Sequence, residues 1–184
     1  RYWRVMAAAP GEAERSEAEL NTLAAGRGFH AYLAAEILSL PPGLASDDIV
    51  AAPVSDSDVV ARVRELIAVG MIWEARSEFR AALDDPAVAL SLADLAAESG
   101  WHSLAIEAAA AAKAWGRVDL RFPVVYQTEF SNASEESGLD VEELFAVARR
   151  ESAMAPDAVS EAGARGLMQL MPSTARLTAR KHNY

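Results

Sequence analysis

Apolar residues recur three and four positions apart from one end of the chain to the other, in stretches rich in alanine and laced with arginine and glutamate. That is the helical period, and no Val/Ile/Thr-rich run alternates with the period of two that a half-buried strand needs. The pattern predicts an all-α fold. Its clearest interruption is Pro41-Pro42-Gly43, followed by Pro53, Ser55, Asp56, Ser57 and Asp58. Two prolines and a glycine cannot continue a helix, and Asp and Ser are good caps for the next one. A domain boundary is therefore expected near residue 56.

Beyond that boundary the chain repeats itself. Gly70, Ala75, Phe79 and Ala82 are matched thirty residues later by Gly100, Ala105, Ala109 and Ala112. A glycine that closes one helix, then a small residue and a bulkier one on the inner face of the next, is how helix pairs stack in tetratricopeptide-like solenoids. Further on, Gly138 and Asp140 open a helix that Pro156 stops, and Pro172 starts another.

Composition and charge narrow the function classes. With 184 residues, 52% of them hydrophobic, the chain is long enough to bury a real core. Its formal charge of −10 argues against nucleic acid or an anionic membrane as partner, because phosphate attraction needs clustered positive charge. The charge is uneven: residues 149–184 carry +3 and residues 1–148 carry −13. A basic C-terminal patch would suit an anionic substrate, and a surface of mixed charge is the plainer reading. The absence of cysteine removes thiol catalysis, disulfides and Cys-based zinc sites. His30, His102 and His182 lack metal-ligand spacing, so no metal is expected. No apolar run approaches the roughly 20 residues that span a bilayer. Arg1-Tyr2-Trp3-Arg4 lacks a signal peptide's apolar region, and the start without Met is expected of a processed or excised piece.

Two stretches carry candidate chemistry, and a third does not. Gly26-Arg27-Gly28-Phe29-His30-Ala31 has the letters of a dinucleotide-binding turn, which needs a preceding strand. A helical pattern precedes it, so a helix end followed by another helix is the simpler reading. In the helix opened at Asp140, Leu144, Ala148 and Glu151 fall at i, i+4 and i+7, which places Glu151 on the apolar side. Desolvation and the negative end of the helix dipole both favour a protonated carboxyl there. A protonated acid in a cleft is what a glycosidic leaving oxygen requires. A glutamate at the edge of the apolar face, hydrogen-bonded to a neighbour, fits the same pattern. Downstream, Gly163 and Gly166 allow a close approach of backbone to ligand, and Gln169 offers donor and acceptor to hydroxyl and N-acetyl groups. Met168 and Leu170 read equally as cleft wall or as core.

The segment ARRESAMAPDAVSEAGARGLMQLMPSTARLTAR, residues 148–180, resembles the first signature of the soluble lytic murein transglycosylases of the goose-lysozyme-like superfamily. The likeness extends backward. RYWRVMAA and RGFHAYLAAEIL are similar to the last helices of that family's superhelical domain, VARVRELIAVGMIWEARSEF to its linker domain, and RFPVVYQTEF to the entry of its catalytic domain.

The resemblance implies three parts: residues 1–56 as the C-terminal end of an α-superhelical domain, 57–118 as a helical linker domain, and 119–184 as the N-terminal part of a lysozyme-like catalytic domain. It implies Glu151 as the single catalytic acid/base, Ser160 hydrogen-bonding near it, and Gln169 and Met171 lining the saccharide cleft. The implied reaction cleaves the β-1,4 bond between N-acetylmuramic acid and N-acetylglucosamine of peptidoglycan in the periplasm, without water, to give a 1,6-anhydromuramyl product. No cofactor is implied, and the superhelix offers a surface to cell-wall protein partners. Two departures accompany the likeness. Met154 stands where the family often has an aromatic or bulky residue, and the chain ends at Tyr184, before the family's Tyr-Asn-Ala-Gly motif. The isolated chain is accordingly expected to be inactive. A goose-type hydrolase, with Asp157 or Glu161 as a second carboxylate, and a non-catalytic helical-repeat binding module are the rival readings.

Overall fold

The computed structural model describes residues 2–6, 13–43 and 57–182. Among them the regular structure is helical, with isolated β-bridges linking Arg165 to Val159 and to Leu170. The all-α expectation holds for these residues. The chain separates into two compact units, residues 1–48 and 49–184. Pro53, Ser55 and Asp56, which carry the expected boundary, lie outside the described residues.

The first unit contains α1 (Tyr2–Met6), α2 (Ala13–Ala24) and α3 (Phe29–Ile37). Leu20 and Ala24, one turn apart on α2, pack with Ala34 and Ala35 of α3 and with Val5. Small side chains on α3 let the two helices approach closely. The Gly26-Arg27-Gly28 turn therefore joins helix to helix, as its preceding pattern predicts, and lacks the strand a dinucleotide turn needs.

In the second unit the thirty-residue repeat appears as two helix pairs. These are α4 (Asp58–Ala68) with α5 (Ile72–Ala81), and α6 (Pro86–Glu98) with α7 (His102–Ala111). Ser57 occupies the cap position of α4, as its place after the proline break predicts, but its side chain makes no cap hydrogen bond. Gly70 and Gly100 adopt φ of +79° and +74° just past α4 and α6. Ala75, Phe79, Ala105 and Ala109 are fully buried, and Ala112 is buried where its counterpart Ala82 is half-buried. Asp85 starts α6 by accepting the Ala87 and Val88 N–H groups at 2.9 and 3.4 Å, with Pro86 in the first helical position. Ala89, Leu92, Ala93 and Ala96 of α6 are wholly inaccessible, so this helix is the centre of the main core.

Arg117 ties the next segment to that core. Its Nη2 donates to Asp94 of α6 at 2.7 Å and to Asp119 at 2.8 Å, at the start of α8 (Val118–Arg121). Next come α9 (Gln127–Ser137) and α10 (Val141–Ser152), the latter entered from Asp140 as predicted, while Gly138, expected to open α10, instead closes α9 in a left-handed conformation. A separate cluster holds them: Phe130 of α9, Leu144 and Ala148 of α10, Met154, and Ile106 from α7. The last element, α11 (Pro172–His182), starts at the predicted proline and buries none of its residues.

Candidate active site

Glu151 occupies the last turn of α10, in line with Leu144 and Ala148, as the spacing predicts. Those two are buried, but Glu151 is exposed and pairs with no described residue. The expected desolvation is therefore not found at this carboxyl. The physical reason is local: the cluster of Ile106, Phe130 and Met154 covers the helix face only as far as Ala148. The chain then leaves the helix axis through two successive left-handed residues, Ala153 (φ 50°) and Met154 (φ 64°). Such values are costly for side chains with a β-carbon and persist only where packing holds them. Here Met154 is inserted almost completely into the cluster. It serves as core, and as the peg from which the following loop is hung.

That loop, residues 155–171, is folded on itself by backbone bonds. Arg165 and Leu170 exchange N–H···O bonds of 3.1 and 3.0 Å, Gly166 N–H donates to the Ala158 carbonyl at 2.9 Å, and Ser160 N–H donates to the Ala164 carbonyl at 3.0 Å. The Ser160 hydroxyl accepts the Ala164 N–H at 3.0 Å. Its oxygen is thus engaged in closing the turn, and its own proton is left to donate. The Gln169 amide lies inside the loop, its Nε2 donating to the carbonyls of Gly166 at 3.0 Å and Ala158 at 3.3 Å. Gln169 holds φ at +46°. Met168, Leu170 and Met171 are all about 40% exposed or more, so the core reading of Met168 and Leu170 is not met. Leu167 alone of this run packs against the Met154 cluster.

Residues of α5 and α7 and of the segments that precede α7 and α9 frame the loop from the other side. The Arg76 guanidinium of α5 lies over the Trp101 ring at 5.5 Å and places Nη1 3.7 Å from the Asp157 carboxylate. The edge of one ring meets the face of the other between His102 and Tyr126, with centroids 6.0 Å apart. Burial pushes the Tyr126 hydroxyl up, assisted by the charges of Asp157 and Glu129, and burial pulls His102 below its ordinary value. In the sequence Arg76 reads as one more exposed helical charge, since nothing local marks its partners. Glu161, like Asp157, is exposed.

A cavity of about 650 Å³ lies on the opposite flank of α10, lined by Phe122, Val124, Val141, Phe145 and Arg149 among others. Glu151 is not among its lining residues. Arg149 is fastened there by an Nε bond of 2.7 Å to the Arg121 carbonyl and lies over Phe122. Arg149 and Arg150 in the last turn of α10, and Arg180 and Lys181 in that of α11, stand where the helix dipole favours cations. Much of the C-terminal positive charge thus has a local structural explanation.

Comparison with known proteins agrees with this architecture. The family described as Soluble lytic murein transglycosylase L domain matches residues 53–118, and the Transglycosylase SLT domain matches residues 129–184. The soluble lytic murein transglycosylase of Escherichia coli K12 is 32% identical over 187 residues, covering 98% of this chain. A Haemophilus influenzae relative is 36% identical over 185 residues, covering 97%. The crystal structure of the lytic transglycosylase Slt of Pseudomonas aeruginosa, an inactive mutant, superposes over the whole chain with a TM-score of 0.85 and 34% identity, the chain covering 31% of it. The chain spans about 30% of the length of the curated relatives it matches. Residues 53–118 and 129–184, the latter bearing Glu151, thus carry two domains of the soluble lytic murein transglycosylases, and nearly the whole chain is similar to one part of those proteins.

Proposed function

We propose that the chain is part of a periplasmic lytic transglycosylase that cleaves the β-1,4 bond between N-acetylmuramic acid and N-acetylglucosamine in peptidoglycan strands, releasing 1,6-anhydromuramyl products. The observation that carries this reading is the placement of Glu151. It is a free, accessible carboxyl at the end of α10, followed at once by the loop that contains Ser160, Gln169 and Met171. The Pseudomonas relative supports it, being inactive as a glutamate-to-glutamine mutant. The division into residues 1–56, 57–118 and 119–184 as superhelix end, linker and first part of the catalytic domain belongs to the same proposal.

In this mechanism Glu151 gives its proton to the glycosidic oxygen as the bond to the muramyl C1 breaks. The resulting carboxylate then takes the proton of the C6 hydroxyl as that oxygen closes onto C1. One carboxyl serves both steps, and no water is consumed. Ser160 donates its hydroxyl proton near the reacting atoms, while Gln169 and Met171 line the cleft. Asp157, turned toward Arg76, is poorly placed to act as the second carboxylate of a hydrolase.

The test is Glu151→Gln in the full-length protein that carries this sequence, assayed on purified murein. Retained folding with turnover lowered by roughly two to four orders of magnitude is expected, since the amide keeps the shape but cannot deliver the proton. Near-normal turnover would end the assignment. Product masses lacking one water, relative to hydrolysed fragments, separate lyase from hydrolase.

A further inference from the structure

We propose that Arg76 is a positioning residue for the loop 155–171, acting through Asp157 to keep Ser160 and Gln169 in register with Glu151; the catalytic meaning of that register rests on the function proposed above. The repeat supplies the first argument. Arg76 of α5 and Ile106 of α7 are thirty residues apart and so occupy the same place in the two helix pairs. Both face the segment that follows α10. Ile106 packs in the cluster that holds Met154, where the loop begins, and Arg76 reaches Asp157 three residues later. The two linker pairs thus present one equivalent position each, one apolar and one charged, to successive points of the same loop.

The second argument is the chemistry of the guanidinium. Its Nε is buried without an acceptor among the described residues, and its Cζ lies over the Trp101 ring at 5.5 Å, so the group is held against the helix pairs. Asp157 is the carboxylate it reaches among the described residues. The third is what Asp157 adjoins. The next residue, Ala158, has the carbonyl that accepts both the Gly166 N–H and the Gln169 side-chain amide. Moving Asp157 moves the acceptor that closes the loop.

An ion pair with one partner this exposed contributes little to global stability, so its effect is expected in the local opening of the loop and not in the melting of the fold. The experiment measures amide hydrogen exchange at Gly166 and Gln169 in this chain, for Arg76→Met, Arg76→Lys, Asp157→Asn and the double variant Arg76→Met/Asp157→Asn. Arg76→Met and Asp157→Asn are each expected to raise exchange roughly three- to tenfold, with the melting temperature within about 2 °C of the parent. Arg76→Lys keeps the charge and should stay near the parent, and the double variant should be no worse than either single one. In the full-length protein the same two single variants should lower kcat several-fold with KM little changed, because misplacement of polar groups in the site weakens transition-state contacts first. Unchanged exchange in both single variants, or effects that add in the double variant, overturns the proposal. The exchange measurement needs no activity, so it stands apart from the outcome for Glu151→Gln.

Discussion

Gly70 and Gly100 close their helices in the same way, thirty residues apart. Met71 N–H donates to the Leu66 carbonyl at 2.9 Å and Gly70 N–H to Ile67 at 3.0 Å, while Trp101 N–H donates to Ala96 at 2.8 Å and Gly100 N–H to Ala97 at 3.1 Å. In both places a left-handed residue lets the chain turn back and satisfy two carbonyls that the helix end would leave open. Nothing lies within 4 Å of where a β-carbon would sit on either glycine, so the demand is conformational and not steric. Gly70→Ala should therefore cost about 1 kcal/mol, and Gly70→Val more, since a β-branched residue tolerates positive φ poorly. For a unit of this size, a fall of about 3–6 °C in melting temperature is expected for Gly70→Val by calorimetry. An equal fall is expected for Gly100→Val, and nearly additive falls for the pair. An unchanged melting curve would mean that the turn does not need its glycine.

Asp119 gives the fold a specific dependence on acid. The hydrogen bond from Arg117 holds its carboxyl below the ordinary value of 3.8. As the pH falls, the unfolded chain takes up that proton first. The contribution of Asp119 is thus fully present above the ordinary carboxylate range, and it is lost as the pH drops through 3.8 toward the lower folded value. Denaturant unfolding of the parent and Asp119→Asn, followed from pH 7 to pH 2.5, should show a stability gap at neutral pH that narrows below about pH 4. The group is largely exposed, so the gap should be small, on the order of 1 kcal/mol or less. A gap that is constant with pH would show that the Arg117 bond is not its source.

Gln169 combines a strained backbone with a structural side chain, and the two can be separated. Gln169→Gly relieves the positive φ but removes the amide that joins Ala158 and Gly166. The gain of about 1 kcal/mol from backbone relief and the loss of hydrogen bonds of similar size should nearly cancel in the melting temperature. Gln169→Leu also loses the bonds but keeps the strain, so it should be less stable than Gln169→Gly by about 1 kcal/mol in chemical denaturation. Equal stabilities for the two would show that the positive φ costs nothing here, and a Gln169→Gly variant clearly more stable than the parent would show that the amide bonds contribute little.

Most of the helices and several of their ends were legible in the sequence, though α8 and α9 were not. The period of the apolar residues, the Pro41-Pro42-Gly43 break, the helix starts at Ser57 and Asp140, the glycines at 70 and 100 and the proline at 172 depend on torsions and neighbours a few residues apart, so they are legible without a fold, whereas Gly138, read as opening α10, closes α9. The thirty-residue repeat was legible for the same reason, because Ala75 and Phe79, like Ala105 and Ala109, are buried by the helix pair to which they belong. The position of Glu151 on α10 followed from its spacing alone. Its exposure did not, because spacing fixes which side of a helix a residue takes and not how far along that side the neighbouring cluster of Ile106, Phe130 and Met154 extends. Tertiary structure likewise decided that Met154 is core, that Met168 and Leu170 face outward, and that the Ser160 oxygen and the Gln169 amide are engaged within their own loop. It also brought Arg76 to Asp157 across eighty-one positions of sequence, a contact no local pattern could announce, because it depends on two helix pairs and a loop having already folded.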